Sequence, residues 1–332
     1  MLTQFQYGFY GSSLVFGTML AISSSSWLGV WVGLEINLLS FMLIITFMES
    51  GEPEAGLKYF LVQASSSLLV IMMGLVLSLS SNMFWGVLGG ALILKSGGAP
   101  FHFWFPMVSE GLSWVSVSFL VTIQKLAPLV LLFYSSGHIT AILIVSALLS
   151  AATGALGGMS ELYLRKLMSF SSIGHFGWLV FGMLLGGSAW MVYFMLYCLI
   201  VISLIYLFKV YNLFHLSQLG SNLPYMKSQL SVGLGLLSLG GMPPLLGFLP
   251  KWIIVQQALN TAYMSIALFL LAASAITIYY YLRVMLPSFT MARGGEGIEM
   301  VFSSKIADNF LLGLNVGGLF ISSMLWSTSL LQ

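Results

Sequence analysis

The chain has 332 residues, 59% of them hydrophobic and only 6% charged, with a formal net charge of +2. A soluble protein of this length needs a charged shell, so these values exclude a water-solvated domain and make lipid its solvent. There is no basic patch, hence no nucleic-acid partner, and the single cysteine, Cys198, excludes an internal disulfide, a cysteine-ligated iron–sulfur cluster and a cysteine zinc site.

One bilayer crossing takes about 20 apolar residues. The sequence predicts eleven, near residues 3–22, 26–47, 56–79, 83–106, 113–134, 138–159, 168–186, 188–209, 229–258, 262–286 and 306–326. The fold class is therefore all-α: a polytopic membrane protein forming one membrane domain over residues 1–332. The first span opens without a basic n-region, because no Lys or Arg precedes Lys58, so the reading expects no secretory signal or transit peptide. The second span carries Glu35 near its middle, the fourth carries Lys95, the fifth Lys125 and the ninth Lys251. A charge at that depth costs at least a few kcal/mol, so such residues mark ion pathways by default.

The fourth span ends in KSGGAPFHFWFP (95–106), and the ninth contains LSLGGMPPLLGFLPK (237–251). Proline removes a ladder hydrogen bond, and non-helical backbone at membrane depth survives only against protein or water. Both segments are expected to be broken helices, the device that builds ion sites in transporters. The seventh span holds His175, a candidate proton relay, since imidazole titrates near neutrality. The four histidines, His102, His138, His175 and His215, show no metal-ligand spacing, and no metal site is expected. Serines such as Ser65–Ser67 and Ser171–Ser172 read as helix packing. Glu110 reads as a solvated loop residue.

Three of the intramembrane charges are lysines and none is arginine. Burial disfavours a charged amine and a nearby carboxylate favours it, so a lysine can switch where arginine stays protonated. Snorkelling suits Lys58, Lys209, Arg283 and Lys305, at helix ends, and suits Lys125 poorly. The loops after odd-numbered spans (SSSS, SSN, SSGH, GGS, NTAY) hold no Lys or Arg, whereas Lys58, Arg165, Lys166, Lys209, Lys227, Arg283, Arg293 and Lys305 lie at the other end. By the positive-inside rule that basic side, with the N-terminus, faces the cytosol or matrix, and the C-terminus lies opposite.

WVGLEINLLSF (31–41), KYFLVQASSS (58–67), GGAPFHFWFP (97–106), QKLAPL (124–129), LRKLMSFSSIGHFGW (164–178) and LSLGGMPPLLGFLPKW (237–252) together resemble the NADH dehydrogenase subunit 2 family. These are the antiporter-like membrane subunits of respiratory complex I encoded in animal mitochondrial DNA. The motifs run in the family's order over most of the chain; residues 1–30 and 287–332 match only in character.

The resemblance implies inverted five-helix repeats, each with a broken helix, and a kinship with Mrp-type cation/proton antiporter subunits. It implies roles in proton translocation for Glu35 as the buried glutamate, Lys95 at the first broken helix, Lys125 on the next helix and Lys251 at the second break. It also implies placement in the mitochondrial inner membrane beside other membrane-arm subunits of complex I. NADH, FMN, iron–sulfur clusters and ubiquinone would be bound by other subunits, with no cofactor in this chain. Met107 stands where the family often has an acidic residue after the proline. Three functions stay open on the residues: a proton-translocating subunit, a cation/proton antiporter, and a scaffold whose buried charges fix helix register.

Overall fold

Helices that are apolar on every face leave the backbone as their main polar demand, and in lipid an unbroken i→i−4 ladder meets it. The computed structural model describes residues 2–48, 53–76, 82–221, 223, 226–259, 261–291 and 313. Over these the chain runs α1 (Leu2–Ser23), α2 (Trp27–Met48), α3 (Pro53–Val76), α4 (Asn82–Ser96), α5 (Trp104–Gly111), α6 (Trp114–Val121), α7 (Ile123–Ser135), α8 (Thr140–Ser160), α9 (Leu164–Leu184), α10 (Ala189–Val210), α11 (Gln218–Ser221), α12 (Met226–Gly240), α13 (Phe248–Ala258) and α14 (Met264–Met291). Apart from one isolated bridge between Tyr163 and His215, the described residues contain no β-structure.

Seven stretches are helical, long and apolar enough to cross a membrane, and shorter apolar helices at Gly8–Ser23, Phe84–Ser96 and Ser228–Gly240 accompany them. The chain is thus an all-α multi-pass membrane protein. Each of the first ten expected spans falls on one helix or on a pair of half-helices. The expected eleventh, at 306–326, lies outside the described residues, as do Arg293 and Lys305.

Glycine sets how closely the helices approach. A Cβ on Gly154 of α8 would lie 2.5 Å from the Gly174 nitrogen of α9, so these two backbones touch. Small residues at such crossings let van der Waals packing replace the hydrophobic drive that lipid does not supply. Helix α9 is the most enclosed span, 78% buried over its apolar stretch against 28% for α3, and it forms the centre around which α5, α8, α10, α13 and α14 pack. Outward, Phe16, Leu61, Leu75, Leu156 and Met195 are large apolar side chains left exposed on the surface of the chain.

Both expected breaks are present. Helix α4 stops at Ser96 because Gly97, at φ +74°, turns the chain left-handed; the Gly98 N–H then closes back on Ile93 O at 3.0 Å. The second break separates α12 from α13, with Gly241 at φ +82° donating to the Leu237 and Ser238 carbonyls.

A further interruption was not expected. Thr122, at φ −111° and ψ −80°, divides the fifth span into α6 and α7 just before Lys125. Its hydroxyl donates to Ser118 O at 2.6 Å, a back-bond that bends helices, and Pro128, nearly two turns on, removes a ladder donor.

Candidate functional site

The half-helices deliver the buried amines. Lys95 is the penultimate residue of α4, Lys125 follows the bend at Thr122, and Lys251 lies in the first turn of α13; they are 5%, 1% and 4% exposed. Only Lys251 takes its acceptor from the broken ladder; Lys95 and Lys125 find theirs on the neighbouring helices α3 and α9.

Lys95 sits against α3. Its Nζ donates to the Gln63 side-chain oxygen at 3.4 Å and to the Gln63 carbonyl at 3.5 Å, while Gln63 Nε2 donates to Lys95 O at 3.0 Å. One glutamine thus brackets the lysine and satisfies a carbonyl left open by the helix end. Glu35 makes no ion pair with Lys95; its Oε1 accepts from Ser67 Oγ at 2.7 Å, and its charge still acts on Lys95 through space. Expected to be buried, Glu35 is half-buried in the isolated chain, because α2 forms part of the outer surface.

Between this cluster and Lys125 runs an amide bridge. Tyr59 OH donates to Gln124 Oε1 at 3.2 Å, and Gln124 Nε2 donates to Asn37 Oδ1 at 2.8 Å. A small cavity of ≈ 10 Å³ opens here, lined by Asn37, Tyr59, Gln63, Lys95 and Gln124.

Lys125 reaches α9. Its Nζ donates to Ser172 O at 2.9 Å and Ser172 Oγ at 3.1 Å, with the Phe105 and Phe176 rings 4.9 and 5.9 Å away. One turn on, His175 Nδ1 lies 2.8 Å from Tyr193 OH and stands within electrostatic reach of both Lys125 and Lys251. Lys251 Nζ donates to Gly240 O at 2.5 Å, a carbonyl freed by the break, and lies 5.8 Å from the Trp178 ring. The structure therefore brings the buried Lys95, Lys125 and Lys251 and the half-buried His175 into one polar row, with Glu35 at its outer end.

The other ionisable groups lie elsewhere. Glu110, expected as a solvated loop residue, is on α5 and pairs with Lys166 at 2.8 Å, pinning α5 to the start of α9. Beside it, Arg165 donates to Leu112 O. His138 stacks on Trp85 at 4.5 Å, and His215 packs on Tyr163 at 4.3 Å. His102 is buried beside Phe103.

A family model described as NADH:quinone oxidoreductase/Mrp antiporter, TM, matches residues 24–277, which take in this whole row. The chain is 41% identical to NADH-ubiquinone oxidoreductase chain 2 of Anopheles gambiae, over 94% of its own length and 96% of that protein's. The chain belongs to this family, in its NADH-ubiquinone oxidoreductase chain 2 branch. It shares its fold with a chain of respiratory complex I from Thermus thermophilus at a TM-score of 0.81 and 24% identity, covering 96% of this chain and 77% of that one. A chain of the Mrp complex from Dietzia follows at a TM-score of 0.75 and 18% identity, covering 86% and 60%.

Within this antiporter-type frame, the residues that sequence reasoning passed over are neutral ones: Asn37, Tyr59, Gln63, Gln124 and Tyr193 bond to one another or to the titratable groups. Ser67 and Ser172, read as packing residues, hold Glu35 and Lys125. One signal was available, since Asn37, Gln63 and Gln124 are amides inside otherwise apolar runs, where each unmade hydrogen bond is costly.

Proposed function

We propose that the chain translocates protons as a membrane-arm subunit of NADH:ubiquinone oxidoreductase, respiratory complex I, in the mitochondrial inner membrane. The observation that carries this reading is Lys125. It is 1% exposed and its amine donates to a carbonyl and a hydroxyl between two rings, with the neutral Cys198 thiol and the His175 imidazole within electrostatic reach; the ion pairs found among the described residues, Lys58–Glu54 and Lys166–Glu110, leave it out. An amine held this way has no fixed counter-charge, so a charge arriving nearby decides whether it holds its proton.

Electron transfer in other subunits alters the interaction of Glu35 with Lys95. That change passes to Lys125, whose proton moves toward Lys251, with His175 as relay, and leaves on the outer side. NADH, FMN, iron–sulfur clusters and ubiquinone belong to those other subunits, and this chain carries no redox step. A half-buried carboxylate at membrane depth needs a protein or water cover, and a neighbouring membrane-arm subunit supplies one for Glu35. The N-terminus lies in the matrix, the side of the basic loops, and an eleven-span count then puts the C-terminus toward the intermembrane space.

Native gel electrophoresis with in-gel NADH staining, followed by mass spectrometry of the active band, tests the assignment; absence of the chain from that band overturns it. The second reading, cation/proton exchange, draws on the fold shared with the Mrp chain. It requires proton movement that stops when sodium is replaced by an impermeant organic cation, whereas the first reading requires none.

A further inference from the structure

A second cavity, of ≈ 20 Å³, lies between α9, α12, α13 and α14 and is lined by Ser171, His175, Lys251, Thr277, Tyr280 and Tyr281 among others. Tyr280 and Tyr281 are 0% and 1% exposed, with ring centroids 4.5 Å apart. Neither hydroxyl has a partner at strict hydrogen-bonding geometry among the described residues; the two hydroxyls lie beside each other, and that of Tyr281 also lies beside Ser171. Their rings are seated by glycines on two other helices. A Cβ on Gly158 of α8 would lie 2.8 Å from Tyr280 Cε1, and one on Gly240 of α12 would lie 3.3 Å from Tyr281 Cδ2.

A buried hydroxyl left unbonded costs about 1–3 kcal/mol. Both hydroxyls stand at a cavity whose wall is mostly apolar, with Ala151, Trp178, Leu239 and Ala273, so its polar points, these hydroxyls with Ser171, Thr277, the imidazole and the amine, are few and localised. A cavity of roughly 10–15 Å³ or more, with two to four polar partners, is what an ordered water needs. Helix α14 carries no ionisable member of the row, yet it closes the gap between two of them.

We infer that Tyr280 and Tyr281 hold an ordered water between His175 and Lys251, and that they are positioning residues for proton transfer between the two. This rests on the proton-translocation reading above. In the transfer, the protonated imidazole gives its ring proton to the water oxygen, and the water gives one of its own protons to the neutral Lys251 amine. One N–H and one O–H bond break while one O–H and one N–H bond form; the charge moves from imidazole to amine and the water is regenerated. The tyrosine hydroxyls neither gain nor lose a proton. They fix the water's position and orientation.

The test uses the assembled complex in sealed vesicles, comparing wild type with the double variant Tyr280→Phe/Tyr281→Phe, which keeps both rings and removes both hydroxyls. Proton pumping is expected to fall about ten-fold, less than the roughly 10²–10⁴-fold that a proton-transfer group itself contributes, because the tyrosines only position the water. The solvent isotope effect of the pumping rate in heavy water should rise, a change that ring packing alone does not produce. A double variant that pumps at the wild-type rate with an unchanged isotope effect overturns the inference. Should that variant fail to assemble, density for the wild-type complex at a resolution that shows waters decides: a water within hydrogen-bond distance of both hydroxyls supports it, and none there overturns it. Lys251→Met, measured alongside, separates the two levels. Normal pumping by Lys251→Met removes the translocation path and this inference with it, whereas lost pumping there with normal pumping in the double variant removes only the water site.

Discussion

Lys125 is the residue on which the proposed mechanism turns, and its surroundings dictate the outcome of two substitutions. Lys125→Met keeps the length and apolar stem among Phe105 and Phe176 but removes the amine from Ser172. Lys125→Arg keeps a charge that is never released and brings five donors to a pocket that offers a carbonyl and a hydroxyl. Both variants are expected to assemble and to lose pumping by on the order of 10²-fold, the contribution of a positioned proton-transfer group; NADH oxidation falls with it where coupling is tight. A scaffold would tolerate arginine and suffer from methionine, so a normal proton-to-electron ratio in the arginine variant removes the carrier role. Gln63 tests the neutral partners. Gln63→Leu strips Lys95 of its side-chain acceptor and leaves the Lys95 carbonyl without a donor, which should cost about 1–3 kcal/mol and appear as a lower thermal midpoint of the solubilised complex. The contrast between these residues shows what the sequence disclosed of the site. A lysine in an apolar run declares itself by its desolvation cost, whereas Gln63, Gln124 and Asn37 declare only that they need partners. Which partner each finds depends on a helix crossing: Gln124 meets Asn37 from a position 87 residues away.

At the scale of the element, the break between α12 and α13 is a piece of backbone chemistry. Gly241 is required there twice over. Its φ of +82° is left-handed, and a Cβ would lie 2.8 Å from Lys251 Nζ. Gly241→Ala should therefore push the amine off Gly240 O and add about 1–2 kcal/mol of backbone strain, giving a complex that assembles and pumps poorly. Replacing Pro243 and Pro244 with leucine attacks the same break from the other side, because it restores two N–H donors and lets the ladder close over the freed carbonyls. The expected result is again assembly with reduced pumping, read as the proton-to-electron ratio in vesicles; an unchanged ratio means the break does not line the path. Gly-Gly and Pro-Pro within one apolar run made this break legible, and SGGAP did the same for α4 and α5. The bend at Thr122 was not legible, since a lone threonine in VTIQKLAPL is ordinary in a membrane helix. Its effect comes from the rotamer that bonds Ser118 O and from Pro128 nearly two turns away.

On the scale of the whole molecule, sidedness follows from where the basic residues stand relative to α9. This helix has 21 residues and so rises about 31 Å, the thickness of a bilayer's hydrocarbon core. Lys166 is in its first turn, beside Glu110, and Ser188 lies just beyond its far end, at the start of α10. The SSSS, SSN, SSGH, GGS and NTAY loops carry no Lys or Arg, while Lys58, Arg165, Lys166, Lys209 and Arg283 cluster at the other helix ends. Membrane insertion retains Lys and Arg on the side where the chain is made, so Lys166 is predicted to face the matrix and Ser188 the intermembrane space. Cys198 is the chain's only cysteine, and Cys198→Ser gives a background in which a single introduced thiol reports its own position. In that background Lys166→Cys should react with an impermeant maleimide in inside-out vesicles only, and Ser188→Cys in intact mitoplasts only. Labelling of both from one side would mean that α9 does not cross the bilayer, and the whole span assignment would go with it. Opposite but inverted labelling would keep the spans and reverse the orientation, placing the N-terminus outside and sending the proposed proton exit at Lys251 toward the matrix.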